Sequence, residues 1–170
     1  MTPLQEGELL LTFPPSWKVE RFDSRGKILP AHICPVDFIA ETPDKLLLIE
    51  IKDPSNSKAP PKERLEFIRK MQSQALTHQE LVPKARTSWS YLHLMARTTK
   101  PLFFVVLVGA EALAIEPVLW LNLSDRLQQR LDQEAEEPWV TPYIDGCIVL
   151  PAIECKRHHV LEGMTVARVP

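Results

Sequence analysis

Three residues in this chain have the types and spacing that metal-assisted chemistry requires: Asp37, Glu50 and Lys52, in the pattern Asp-x12-Glu-x-Lys. The stretch that holds them, 36–52, reads as a two-stranded hairpin, two apolar β-rich runs joined across Thr42-Pro43-Asp44-Lys45. Pro43 cannot take the positive φ of the tightest hairpin turns, so a four-residue loop built around a type I turn is expected, with Glu41 opposite Leu46. Counting back from that pair sets Asp37 opposite Glu50. Side chains alternate with a period of two, which places Asp37, Glu50 and Lys52 on one face of the sheet. Two carboxylates facing each other across a ladder repel unless a cation or a proton lies between them. Opposed Cα atoms lie about 4.5–5.5 Å apart, so both side chains can lean onto one Mg2+, whose ligands stand at roughly 2.0–2.1 Å.

The hairpin must be carried by neighbouring elements. Residues 4–11 are expected to form a short helix, ended by Pro14-Pro15, and 17–23 alternate apolar and charged residues as a half-buried strand does. After Lys52, the polar, Pro-rich stretch 53–61 reads as a loop over the end of the hairpin. Helical periodicity then predicts one helix over 62–81 and a second over 84–97. The continuous apolar run 102–108 is the signature of a strand covered on both faces. Beyond it, Asn122 or Ser124 can cap a further helix, and 143–150 and 164–169 are candidate strands.

The triad in this setting resembles the PD-(D/E)XK nuclease superfamily, the restriction-endonuclease-like fold, over roughly residues 5–110. Val36 stands where many members have proline, with Pro35 one place earlier. The resemblance implies an α/β domain with an αβββαβ core, a mixed central sheet and helices on both faces. It divides 1–170 into one domain with its core at 5–110 and a C-terminal extension at 111–170. It also implies a metal-dependent nuclease that hydrolyses phosphodiester bonds in DNA. Asp37, Glu50 and the Ile51 backbone carbonyl would hold Mg2+ or Mn2+, with Glu8 or Glu20 as a further ligand, and Lys52 would position or activate the attacking water. The recombination-exonuclease branch carries Gln-x-x-x-Tyr on the helix after the lysine. Here Gln74 is followed by His78 and Gln72 by Leu76, so Gln72 and Gln74 are accessory candidates only.

Composition bounds these readings. With 170 residues, 45% hydrophobic and 25% charged, the chain is long enough for one well-cored domain. Its net charge of −2 argues against indiscriminate coating of nucleic acid, but the charge is uneven. Residues 62–100 carry eight Lys or Arg against three Glu, and Lys62, Arg64, Arg69 and Lys70 are the candidate phosphate contacts. Residues 111–137 carry seven carboxylates against two Arg. So modest a basic charge leaves room for a binding or regulatory module that keeps the fold without catalysis, or for a homodimer or separate specificity subunit that supplies the missing DNA contacts. The N-terminus lacks a basic leader, and the apolar stretch 101–123 is broken by Glu111, Glu116 and Pro117, so neither secretion nor a membrane span is expected. Three cysteines, Cys34, Cys147 and Cys155, suit a reducing cytoplasm. Cys147, Cys155, His158 and His159 do not have a usual structural-zinc spacing.

Overall fold

A computed structural model describes residues 2–24, 26 and 28–169. The chain begins with a β-hairpin, β1 (Thr2–Glu6) and β2 (Leu9–Phe13), where a helix over 4–11 was expected. Gly7, at φ +58°, supplies the left-handed backbone that a two-residue turn needs, and Glu6 pairs with Leu9 across it. Leu9, Leu11 and Phe13 are buried alternately, so their period is two and not 3.6.

β3 (Lys18–Arg21), β4 (Phe38–Glu41) and β5 (Leu46–Lys52) form an antiparallel meander. The four-residue loop has the expected register, Glu41 opposite Leu46. Thr42 fixes it: its N–H donates to the Lys45 carbonyl at 2.9 Å and its Oγ1 accepts from the Lys45 N–H at 2.9 Å. Next come α1 (Pro61–Gln72), a π-helical segment (Leu76–Leu81), α2 (Val82–Leu94) and β6 (Leu102–Val108). The chain closes with α3 (Pro117–Asp132), β7 (Gly146–Pro151), short 3-10 turns at Ala152–Arg157 and His159–Leu161, and β8 (Thr165–Arg168).

The fold is mixed α/β. A five-stranded sheet runs in the order β3-β4-β5-β6-β7, with β6 parallel to both β5 and β7, and a three-stranded sheet runs β1-β2-β8. Helices were expected on both faces, but α1, the π segment, α2 and α3 all pack one face, around Phe67, Leu81, Leu92, Leu127, Phe104 and Val106. The small sheet and the 3-10 turns cover the other face, around Leu11, Phe13, Phe38, Ile49 and Leu161. Residues 111–170 are therefore integral: β7 is an edge of the large sheet and β8 an edge of the small one.

The predicted helix 62–81 is interrupted. α1 ends at Gln72, and Gln74 turns the chain at φ +66°. From there the π segment runs directly into α2, and the Val82 N–H donates to Thr77, five residues back. Pro83 gives the reason: it has no N–H, and its ring collides with a carbonyl four residues earlier in a regular α-helix, a conflict that a widened turn relieves. Among the described residues no helix is long and apolar enough to cross a membrane.

Candidate active site

On β5, Leu46 and Leu48 belong to the core beneath the helices, and Leu47, Ile49 and Ile51 to the core beneath the small sheet. Alternation puts Glu50 and Lys52 on the helix side. On β4, Ile39 faces the helices, so Asp37, two residues earlier and one place beyond the last ladder pair, lies on that side too. The hairpin thus brings together the three residues that the sequence singled out, with Asp37 9% and Glu50 1% exposed.

The approach to Asp37 is stitched to α2. Ser88 Oγ accepts from the Val36 N–H at 3.1 Å, and Thr87 Oγ1 accepts from the Cys34 N–H at 3.0 Å. Asp37 Oδ2 then accepts from the Ile51 N–H at 2.6 Å, taking the place of a ladder partner where β4 has ended. Burial raises the Asp37 carboxyl to about 7, with the Glu50 charge adding to the effect; the Ile51 amide and Lys84 offset part of it.

Glu50 is met by two ammonium groups. Lys84, from α2, lies 2.8 and 2.9 Å from its two oxygens, and Lys52 lies 3.3 Å from Oε1. Lys52 also donates to Glu80 at 2.7 Å, and Glu80 accepts from Lys70 at 2.8 Å. Burial alone would lower the Lys52 pKa; the Glu50 and Glu80 carboxylates outweigh it and hold the ammonium above its ordinary value. Burial likewise pushes Glu80 up, but hydrogen bonds from Lys52 and Lys70 leave it below the usual carboxylate range. Lys84 and Glu80 escaped the sequence reading; their only signal is a spacing of four residues between two predicted helices.

The other expected residues lie elsewhere. Glu20 is on β3 opposite Ile39 and pairs with Arg97 at 2.8 Å. Glu8, in the β1–β2 turn, accepts from the Ser57 N–H at 2.9 Å and pairs with Arg168 at 3.1 Å. Among the described residues, neither joins Asp37 and Glu50 in a group of three that could hold a metal. Gln72 is exposed at the end of α1, and Gln74 faces His78, with Oε1 3.3 Å from the ring nitrogen, so neither serves as an accessory group at Lys52. On α1, Lys62 and Arg69 are exposed and Arg64 is half-buried, while Lys70 is engaged by Glu80. A cleft of about 300 Å3 opens beside Lys52, lined by Asp53, Glu63, Glu66, Lys70 and Glu80 among others. Cys147 donates to the Ser124 carbonyl and Cys155 to that of Met164, the rings of His158 and His159 stack on each other, and among the described residues these four form no metal-holding group.

The donor set suits a hard divalent cation. Among the described residues no three His, Cys, Asp or Glu converge on one point. Mg2+ nonetheless binds through one or two carboxylates and keeps several waters. The N–H and C=O of a strand residue point to the same edge, so the Ile51 carbonyl faces the side where Asp37 caps its N–H. Two buried carboxylates of like charge, one of them shifted up, are what such an ion would relieve. Comparisons with protein-family models, with curated proteins and with solved structures found no match to this chain.

Proposed function

We propose that this protein is a metal-dependent nuclease of the PD-(D/E)XK type, acting on DNA with Mg2+ or Mn2+. The observation that carries the reading is the convergence of Asp37, Glu50 and Lys52 on one buried face of a hairpin whose register agrees with its turn chemistry. The meander β3–β5, followed by helix and a parallel β6, supports the fold assignment; the β1–β2 hairpin stands where that core has its first helix.

Asp37, Glu50 and the Ile51 carbonyl would hold the ion, which would supply neutralisation of phosphate charge and acidification of a bound water. Lys52, fixed between Glu50 and Glu80, orients the attacking water and balances charge that develops on the phosphate. Lys84, which meets both Glu50 oxygens, would compete with the ion for that carboxylate. Lys62 and Arg69, exposed on α1, meet the phosphate backbone.

The test incubates the protein with linear, circular and single-stranded DNA in Mg2+, Mn2+ or EDTA, beside Lys52→Ala. Cleavage is expected with metal, none in EDTA, and a loss of roughly a hundredfold or more in the variant. Equal cleavage by the variant would sink the mechanism. One observation favours a second reading, a nuclease-fold binding module without catalysis. The cleft beside Lys52 sets four carboxylates, Asp53, Glu63, Glu66 and Glu80, against two lysines, which repels a polyanion. Absence of cleavage under every condition would select that reading.

A further inference from the structure

Between the π segment and α3 lies a second cleft, of about 360 Å3, walled by Gln74, His78, Arg126, Gln129, Arg130 and Gln133. Arg126 and Arg130 stand four residues apart, on one face of α3, and both are half-buried. Neither forms an ion pair among the described residues, although α3 lies in the most acidic stretch of the chain. Of the carboxylates near them in sequence, Asp132 accepts from Gln128 Nε2 at 3.0 Å, Glu134 holds Arg86 and the Tyr143 hydroxyl, and Asp125, exposed beside Arg126, pairs with neither arginine. Like charges at this spacing destabilise a helix, and partial burial sharpens the repulsion.

The facing wall is built at a cost as well. Gln74 is held at φ +66°, a left-handed conformation that side chains with a Cβ rarely take, and this bend sets Gln74 and His78 against α3. The unpaired positive charge on α3 finds compensation in an anion held between the two walls. Guanidinium forks match tetrahedral oxyanions, and two of them match the charge of a phosphomonoester.

We propose that this cleft binds a phosphomonoester dianion, gripped by Arg126 and Arg130 and faced by the amides of Gln74 and Gln129 and the ring of His78. Two sources share that chemistry: a small phosphate compound, or the terminal phosphate of a nucleic-acid strand. The proposal is independent of the nuclease reading, since it requires neither metal nor turnover.

Calorimetric titration in EDTA separates the cases, using inorganic phosphate, a nucleoside 5′-monophosphate, and one oligonucleotide with and without its 5′ phosphate. Saturable binding is expected, weakened roughly tenfold or more by the Arg126→Ala/Arg130→Ala double variant. Gln129→Glu should weaken it comparably, because it places a carboxylate beside the guanidiniums at an exposed helix position that tolerates glutamate. Binding of phosphate or mononucleotide identifies a small ligand; a response only to the phosphorylated oligonucleotide identifies a strand end. No binding by the wild-type protein, or equal binding by folded variants, would overturn the proposal.

Discussion

Burying Asp37 beside Glu50 raises its carboxyl to about 7, so ionising it at neutral pH works against the fold. The unfolded chain releases this proton at the ordinary value of 3.8, and the folded chain near 7. Between those values the folded state holds a proton that the unfolded state has lost. The contribution of Asp37 to stability is therefore greatest below about pH 4 and disappears as the pH rises toward about 7. Asp37→Asn keeps an acceptor for the Ile51 N–H and removes the titration. In EDTA the variant should gain on the order of 2 kcal/mol at neutral pH, and its stability should vary less with pH across that interval. Urea unfolding at a series of pH values measures both, and an unchanged pH slope would show that Asp37 is not the source. If the site holds Mg2+ as proposed, the comparison should reverse with the ion present: binding to the native state would stabilise the wild-type fold, and the variant, short of one carboxylate, should gain less.

At the scale of elements, the π segment links the site to the helical layer. It carries Glu80, which clamps Lys52 and Lys70 at once. These side chains are 19–37% exposed, so the clamp contributes little to stability. Glu80→Gln should cost no more than about 1 kcal/mol in denaturant unfolding. If Lys52 acts as proposed, the same change should lower kcat roughly tenfold with KM nearly constant, because it frees a positioned group and removes no substrate contact. A matched loss in KM would place Glu80 in binding instead. This element was also the hardest to read from sequence. The Asp37–Lys52 hairpin was legible because its determinants are local: Pro43 excludes the short turns, Thr42 closes the long one, and period-two alternation does the rest. Lys84 reaches Glu50 from 34 residues away through a helix whose phase depends on the widened turn before Pro83, which no local periodicity encodes. The break at Gln74 falls on a residue that ordinarily favours helix. The β1–β2 hairpin was misread because Leu4 and Leu11 also fit a helical period; the informative residue was Gly7, whose left-handed backbone ends β1.

At the scale of the whole molecule, the two sheets are fastened at one end by Arg168. It stands on β8 of the small sheet and reaches Asp53 beyond β5 at 2.7 Å, Glu111 beyond β6 at 2.7 Å and Glu8 in the β1–β2 turn at 3.1 Å. The junction is close-packed. A Cβ on Gly109 would lie 2.3 Å from Asp53 Oδ1 and 2.8 Å from Arg168 Nη2, so any larger residue after β6 would push these two side chains aside and loosen their pairing. Asp53 follows Lys52 directly, which makes this fastening also the anchor for the last turn of the candidate site. Arg168→Met and Gly109→Ala should each lower the melting temperature by several degrees, the first by leaving carboxylates facing one another and the second by forcing Asp53 aside. Because both break the same contact, the double variant should lose less than the sum, with a coupling of about 1 kcal/mol in a double-mutant cycle followed by urea unfolding. The loss on Arg168→Met should also shrink in acid, where Glu8, whose pKa Ser57 and Arg168 hold below the ordinary carboxylate value, finally takes up a proton and the repulsion it exerts is relieved. Strict additivity would mean that Arg168 is held independently of Gly109.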